Sequence, residues 1–280
     1  MRSLVQTAVG EALFEGRSGP ANWAATPRDE LTSHLREALA GAPSIDHAVV
    51  CMAGLLTAQD RAEVCELIKA LTHASTCEAH SDAMASLASC DDPNAICVIS
   101  GTGSLVCSFD ESHQMVKSGG GGPLIGDYGS GFWTGRTALA RFLFPRADAF
   151  GNSKLPEWLK QEYGSGDISV CLSQIYRTSS PQAEIARVGS VVASFATDGD
   201  ETAQSILADA MQPLADLTLE HMRSQGFPAR KFKIYRTGGF WSASHFVVKY
   251  FEILLRLPTF EPPLTPIQGA MKLAQDTQKP

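Results

Sequence analysis

The chain has 280 residues, of which 44% are hydrophobic and 19% charged, a composition typical of a globular protein. Lys and Arg together number 23 against 30 Asp and Glu, and the net charge of −7 is spread along the chain without blocks of one sign. A nucleic-acid binder would carry a basic stripe to neutralise phosphates, and the chain has none. The composition therefore favours an enzyme that acts on a small molecule.

Neither a membrane span nor a disulfide framework is expected. No run approaches the roughly 20 apolar residues that cross a bilayer, and polar residues interrupt any signal-peptide core at the N-terminus. The seven cysteines form no Cys-x-x-Cys pair, and Cys51, Cys97 and Cys107 lie among apolar neighbours. The seven histidines also lack metal-ligand spacing. We predict reduced core cysteines, no bound metal among these side chains, no membrane or nucleic-acid partner and a cytoplasmic location.

The first third of the chain alternates strand and helix patterns. His47–Ala53 is rich in valine and predicts a buried parallel strand. Other strands are predicted at Leu4–Ala8, Glu11–Gly16 and Thr76–Ala79, and helices after Thr26-Pro27, over Gln59–Leu71 and from Ser81-Asp82.

A second round begins after the turn cluster at 91–94. Ala95–Ser100, Leu105–Phe109 and Met115–Ser118 predict an antiparallel meander, followed by a helix over Thr134–Phe144. Later elements are a mostly helical stretch from Pro145 to Asp200, a helix over Glu201–Arg223 interrupted by Pro213, a strand over Phe232–Arg236, a further helix and a last helix over Ile267–Gln275. Two such rounds predict an α/β protein of two domains.

The turn Gly101-Thr102-Gly103-Ser104 follows the apolar strand that ends the segment I-C-V-I-S. Its backbone N–H groups and two hydroxyls suit an oxyanion, phosphate above all. It lacks the third glycine of a dinucleotide fingerprint, and no Gly-Lys-Ser/Thr element exists for a P-loop. The alternative interpretation is a plain hairpin turn.

Three further positions could bind a ligand, each with a structural alternative. Asp127 is the only charge in the glycine-rich segment 119–131, which includes Gly122; that segment is either a binding loop or a flexible linker, and Leu124, Ile125, Phe132 and Trp133 favour burial. Asn22-Trp23 could bind a sugar through an amide and a flat ring, or be an ordinary loop. Gly238-Gly239 could admit a nucleobase or simply end a strand.

Asp82 follows a strand and begins a predicted helix. Taken from spacing alone, an Asp in this place is most often a helix cap. The functional alternative is a general base that rigid elements position in a cleft.

In this order, these segments resemble the BadF/BadG/BcrA/BcrD ATPase family, whose members include N-acetylglucosamine and glucosamine kinases. The resemblance runs from about Arg2 to Ala274. It is carried by G-P-A-N-W (19–23), H-S-D-A (80–83), I-S-G-T-G-S (99–104), G-G-P-L-I-G-D-Y-G-S-G-F-W (121–133), I-Y-R-T-S-S-P (175–181) and R-T-G-G-F-W (236–241).

The resemblance implies two actin-like (ribonuclease H-like) domains that close on ATP, Mg²⁺ and a sugar. The first lobe would cover 1–94, and the second 95–280 with a helical insertion and a last helix that packs back on the first lobe. Asp82 would be the general base for the sugar 6-hydroxyl, and Gly101, Thr102, Gly103 and Ser104 would bind phosphate. Asn22, Trp23, Gly122 and Asp127 would bind the sugar and Gly238 and Gly239 the nucleotide; a homodimer is compatible with the family.

The chain departs from the family pattern in three places. The first strand and the first glycine-rich phosphate loop are expected before Met1, which implies either a misplaced start or a rearranged sheet with impaired catalysis. Gly121 stands where the family often has Trp, and Tyr128 where it usually has Glu. The functional alternatives are an amino-sugar kinase, a non-catalytic sugar- or nucleotide-binding relative, and an activator of a 2-hydroxyacyl-CoA dehydratase; dispersed cysteines disfavour the cluster-bearing activator.

Overall fold

A computed structural model describes residues 1–7, 10–143 and 150–276 of the chain. The chain divides into two compact units: a first unit of Met1–Pro93 with the chain from Pro262 onward, and a second unit of Asn94–Glu261. The sequence-based division kept the C-terminal segment in the second lobe, whereas the structure assigns it to the first unit. Mixed α/β layers occur in both units, in accord with the predicted fold class.

In the described part of the first unit, the strands form two separate two-stranded sheets. β1 (Arg2–Gln6) pairs antiparallel with β2 (Ala12–Arg17), and β3 (His47–Cys51) pairs parallel with β4 (Thr76–His80). Within the described ranges, each strand of this unit has one hydrogen-bonded strand partner. β3 was predicted to be buried, but all five of its residues are only half-buried. Ala8, the end of the predicted first strand, lies outside the described residues.

The helices described beside these strands are α1 (Arg28–Leu39), α2 (Ala58–Thr72), α3 (Asp82–Ser89) and α10 (Pro266–Asp276). Leu31, Leu35, Val64 and Ile68 form the core beneath α1 and α2. The last helix packs closely on α3, because Gly269 has no side chain and a Cβ there would lie 2.2 Å from the Ala85 carbonyl oxygen.

The second unit is built on one five-stranded mixed sheet in the order β7-β6-β5-β8-β9. Its strands are β5 (Ala95–Ser100), β6 (Ser104–Phe109), β7 (Met115–Gly119), β8 (Lys233–Thr237) and β9 (Thr259–Phe260). The predicted meander of β5, β6 and β7 is confirmed, and β8 lies parallel to β5 on its other side. The two-residue β9 was too short to be predicted.

Helices pack on this sheet to form the larger core of the protein. They are α4 (Gly131–Arg141), α5 (Leu155–Tyr163), α6 (Ile168–Tyr176), α7 (Pro181–Thr197), α8 (Glu201–Ser224) and α9 (His245–Leu255), with a 3₁₀ helix at Gly239–Ala243. Fully buried Ile96, Val98, Val192 and Leu207 belong to this core. Phe144 and 145–149, part of the predicted helical stretches, lie outside the described residues.

The predicted break of the long helix at Pro213 is wrong. α8 is one continuous helix of 24 residues with Pro213 in its interior. A proline removes one backbone hydrogen bond from a helix, but buried neighbours such as Met211 and Leu214 hold both halves of α8 on the core. In the part of the chain that the structure describes, no helix combines the length and the apolar content needed to cross a bilayer.

Candidate functional site

In the first unit, Asp82 lies just past the carboxyl end of β4. It is the first residue of α3 and its side chain is exposed. The residue at the N-cap is Ser81, whose hydroxyl makes no capping hydrogen bond and is buried without a partner. The interpretation of Asp82 as the cap itself is therefore wrong. A carboxylate in the first turn of a helix interacts favourably with the positive end of the helix dipole.

Cys51, at the carboxyl end of β3, is an electrostatic neighbour of Asp82. Burial and the charge of Asp82 raise the pKa of the Cys51 thiol to about 12. The thiol therefore stays neutral at physiological pH and adds no second negative charge beside the carboxylate. Sequence analysis placed Cys51 in the core but gave no sign of this neighbour, because the two residues meet only through the β3–β4 pairing.

Asn22 lies at the same edge of the β3–β4 sheet. It forms an isolated parallel bridge with Ala53, and Met52 donates its N–H to the His80 carbonyl oxygen at 3.0 Å. The Asn22 Oδ1 accepts hydrogen bonds from the backbone N–H groups of Ala24 (3.0 Å) and Ala25 (3.2 Å). Because Oδ1 is engaged in this turn, the amide nitrogen is the part of Asn22 that can donate to a ligand.

Trp23 has no open face for a sugar, which corrects its interpretation as a stacking surface. The residue is 4% exposed, and the Arg28 guanidinium carbon lies 3.7 Å from the ring centroid. Its indole N–H donates to Asp60 Oδ1 at 3.1 Å. Asp60 Oδ2 in turn accepts from the N–H and hydroxyl of Thr57, the N-cap of α2. Trp23 thus anchors the loop that carries Asn22.

In the second unit, the 101–104 turn presents unpaired donors. The Gly101 N–H donates to the Gly103 carbonyl oxygen at 2.9 Å, and the Ser104 hydroxyl donates to the Tyr128 carbonyl oxygen at 2.6 Å. Within the described residues, the N–H groups of Thr102 and Gly103 and the Thr102 hydroxyl have no hydrogen-bond partner. Thr102 is exposed, so these three donors can reach an anion from solvent.

Backbone hydrogen bonds join this turn to the start of α4. The N–H groups of Gly131 and Phe132 donate to the carbonyl oxygens of Gly101 (2.9 Å) and Thr102 (3.3 Å). The Trp133 N–H is capped by the Ser130 hydroxyl at 3.1 Å. These bonds engage the first N–H groups of α4, and they attach the turn to the start of that helix.

Asp127 lies against the turn. It is 6% exposed, has a left-handed backbone (φ 61°), and its Oδ1 accepts the Ser104 N–H at 3.1 Å. Burial raises the pKa of the Asp127 carboxyl group, and the hydrogen bond from Ser104 opposes that rise. A Cβ on Gly103 would lie 2.8 Å from Asp127 Oδ2, so the glycine is what allows this close approach. Sequence analysis singled out Asp127 but not its contact with the turn.

Gly238 and Gly239 follow β8 and lie beside the same turn. Gly238 has φ of 100°, and a Cβ there would lie 2.4 Å from the Ser100 carbonyl oxygen. A Cβ on Gly101 would be 3.8 Å from the Gly239 nitrogen, and both glycines after β8 are exposed. The adjacent parallel strands β5 and β8 thus bring two glycine segments together at their carboxyl ends, where ligands of open α/β sheets bind.

The loop between β7 and Asp127 differs from the prediction. Leu124 and Ile125 were expected to be buried, but they are 95% and 79% exposed, while Phe132 and Trp133 are half-buried. Gly122 has φ of 76° with open space around its Cα. The loop is nonetheless folded on itself, because the Gly126 N–H donates to the Gly122 carbonyl oxygen at 2.9 Å.

Comparison with known proteins gives a family match that covers most of the chain. The model of the BadF/BadG/BcrA/BcrD ATPase family matches residues 3–274 of the chain. This span includes every candidate residue described above.

Two relatives align with parts of the chain. An N-acetyl-D-glucosamine kinase of Dictyostelium discoideum is 30% identical over 165 residues, which cover 57% of this chain and 51% of the relative. An N-acetylmuramic acid/N-acetylglucosamine kinase of Clostridium acetobutylicum is 27% identical over 217 residues, 73% of this chain and 70% of the relative. The chain thus spans about half the length of the first relative.

A solved structure from Porphyromonas gingivalis, proposed to be an N-acetylglucosamine kinase, has a similar fold. Its TM-score is 0.76 at 20% sequence identity, and the alignment covers 99% of this chain and 95% of that chain. At this identity the likeness establishes the fold, which is the actin-like α/β architecture predicted from the sequence.

Proposed function

Because the chain belongs to the BadF/BadG/BcrA/BcrD ATPase family, we propose that it transfers the γ-phosphoryl group of ATP to an amino sugar. N-acetylglucosamine is the first candidate acceptor, and its 6-hydroxyl the acceptor position. The observation that carries the proposal is the set of three unpaired donors on the 101–104 turn.

The turn suits the phosphates of a nucleotide. Phosphoryl transfer needs mainly positioning and stabilisation of negative charge, which the N–H groups of Thr102 and Gly103 and the Thr102 hydroxyl can supply. The exposed Gly238-Gly239 backbone, with no side chain to obstruct it, would line the adenosine. Since both segments lie at the ends of adjacent strands, one nucleotide can contact both.

Asp82 is proposed as the general base. Its exposed carboxylate would accept the proton of the sugar 6-hydroxyl as that oxygen attacks the γ-phosphorus. The neutral Cys51 thiol supports this role, because a second anion beside Asp82 would favour protonation of the carboxylate.

Three residues are proposed to bind the sugar. The Asn22 amide nitrogen would donate to a sugar oxygen, and Asp127 Oδ2, which is not used by Ser104, would accept from a sugar hydroxyl. Gly122, with open space around it, would let the sugar approach the loop backbone.

Mg²⁺ is proposed to enter with ATP. Such ions are held largely by substrate phosphates and water, with one or two protein carboxylates, and would neutralise charge on the transferred group. Among residues 1–7, 10–143 and 150–276, no three His, Cys, Asp or Glu side chains are grouped so that they could hold a metal ion by themselves.

The test is ADP release with purified protein and a panel of acceptors: N-acetylglucosamine, N-acetylmuramic acid, glucosamine and glucose. We expect the highest kcat/KM with N-acetylglucosamine and a product whose phosphate is on C6 by NMR. Binding of both sugar and ATP without ADP release would instead identify a non-catalytic relative. Absence of any sugar binding would overturn the amino-sugar assignment.

A further inference from the structure

The last helix, α10, touches the helix that begins with Asp82. Gly269, in the first turn of α10, is buried against α3. A Cβ at this position would lie 2.2 Å from the Ala85 carbonyl oxygen and 2.7 Å from the Ser89 nitrogen. Non-bonded atoms do not approach so closely, so the two helix backbones meet at this glycine. Any other residue there would force one helix to move.

Two further contacts attach the C-terminal end of α3 to the same segment. The Leu264 N–H donates to the Ser89 carbonyl oxygen at 3.2 Å, and Lys272 forms an ion pair with Asp91, just after the helix. α10 also contacts β1 and β3, one strand from each of the two described sheets of this unit. The segment 262–276 therefore supports α3 from several elements at once.

The N-terminal end of α3 is held differently. Ser81, the N-cap, makes no side-chain capping bond, and Asp82 is exposed, whereas residues 85–89 are all buried. With eight residues, α3 is about 12 Å long, and its internal hydrogen bonds make it move as one unit. A shift imposed at the buried end is therefore carried to the Asp82 carboxylate.

We propose that Gly269 is a positioning residue for Asp82, because its missing side chain sets the distance between α10 and α3. The inference rests on the proposed role of Asp82 as the general base. A base must lie within hydrogen-bond reach of its proton, and a misplacement of about 1 Å can cost about 100-fold in rate. A methyl group on Gly269 demands a shift of that size, because the distance of 2.2 Å must widen to a contact of about 3.5 Å.

The decisive experiment is a double-mutant cycle on kcat, measured by ADP release at saturating ATP and N-acetylglucosamine. We expect Gly269→Ala to lower kcat about 10- to 100-fold while the KM for ATP hardly changes. In protein that already carries Asp82→Asn, the same substitution should have almost no further effect, because its influence passes through the carboxylate. An equal fall in both backgrounds would overturn the proposal.

Val64→Ala is the control for a general loss of stability in the same unit. Val64 is fully buried in the core beneath α1 and α2, which includes no described residue of α3 or α10. Its truncation should lower the free energy of unfolding in urea but leave kcat per folded molecule unchanged. If kcat falls as far in Val64→Ala as in Gly269→Ala, destabilisation explains both and the positioning role is refuted.

Amide hydrogen exchange tests the support of α3 without any turnover. Gly269→Ala should raise exchange rates in α3 about 10-fold and leave those of α2 unchanged, because α3 alone loses its contact. Should the unchanged protein release no ADP, the proposed function is refuted, whereas faster exchange in α3 alone still supports its placement by Gly269. Unchanged exchange together with full kcat would overturn the inference and leave the proposed function intact.

Discussion

The edge that carries Asp82 and the turn at 101–104 are built in opposite ways. In the first unit, the proposed functional groups are single side chains, and a few local hydrogen bonds hold them at the ends of a two-stranded sheet. In the second unit, the proposed functional groups are backbone N–H groups, which are positioned by hydrogen bonds to carbonyl oxygens and by close contacts that only glycine allows. We therefore expect the first region to lose function when a side-chain functional group is replaced. We expect the second region to lose function when a substitution changes the conformation of the backbone.

The largest effect is expected from Asp82→Asn, which removes the proton acceptor and keeps the volume. We expect kcat to fall about 100- to 10,000-fold, the range typical of a general base. The Kd for N-acetylglucosamine, measured by calorimetry, should change little. Asp29→Asn, at another exposed acid in a first helical turn, is the matched control and should leave kcat unchanged. Full activity of Asp82→Asn would refute the base assignment.

Asp127 has two roles to separate. Its carboxylate supports the 101–104 turn, and it is also proposed to bind the sugar. Asp127→Asn keeps an acceptor for the Ser104 N–H, whereas Asp127→Ala removes it. We expect both variants to raise the KM for the sugar about 10- to 100-fold, the loss of one charged hydrogen bond. The KM for ATP should rise in Asp127→Ala alone. A rise in the KM for ATP with no change for the sugar would leave Asp127 a purely structural role.

Gly238→Ala tests the claim that the second region is sensitive to shape. A Cβ there must avoid the Ser100 carbonyl oxygen, and φ of 100° is strained for any other residue. We expect a loss of about 1–3 kcal/mol in the free energy of unfolding, measured in urea, together with a higher KM for ATP. Gly166→Ala, where a Cβ meets nothing within 4 Å, is the control. Equal stability of the two variants would contradict the close packing described for β5 and β8.

The smallest expected effect concerns pH and His221, which supports the sheet of the second unit. The buried ring lies between the hydroxyls of Ser108 (3.0 Å from Nε2) and Ser118 (2.9 Å from Nδ1), and burial lowers its pKa from the ordinary 6.5. Below about pH 6.5, His221 is protonated in the unfolded chain while it stays neutral in the folded chain. The free energy of unfolding therefore falls by at most about 1.4 kcal/mol per pH unit as the pH is lowered.

His221→Asn should flatten this pH dependence in urea unfolding measured from pH 8 downward, although its stability at pH 8 will be lower. An unchanged slope in the variant would show that other groups cause the loss of stability in acid.

The sequence predicted much of the fold because its strands and turns are locally determined. Ala95–Ser100 is a continuous apolar run between turn residues, and the structure gives β5 the same bounds. Gly101–Ser104 was singled out because a tight turn with free N–H groups and two hydroxyls after an apolar strand suits an oxyanion, and Gly238-Gly239 because glycines after a strand could admit a nucleobase. Their adjacency, by contrast, depends on the parallel pairing of β5 with β8, which lies 133 or more residues away along the chain and leaves no local pattern.

The mispredicted burial of Trp23, Leu124 and Ile125 also has its cause in tertiary structure. Trp23 was predicted to be an exposed ring for a sugar because an aromatic residue in a loop has no periodicity that indicates burial. In the folded chain, Arg28 stacks on the ring and Asp60 accepts its indole N–H. Leu124 and Ile125 looked buried because apolar residues usually are. The neighbour relation of Cys51 and Asp82 likewise arises from strand pairing alone.

Asp60 connects the start of α2 with the loop that carries Asn22. Its carboxylate accepts a hydrogen bond from the N–H of Thr57, the N-cap of α2, and another from the indole N–H of Trp23. Releasing either partner exposes the other to water, so the start of that helix and the Asn22 loop should open as one cooperative segment. Amide hydrogen exchange should then report equal opening free energies for the two stretches, and a ligand held by Asn22 would slow exchange at a helix it does not contact.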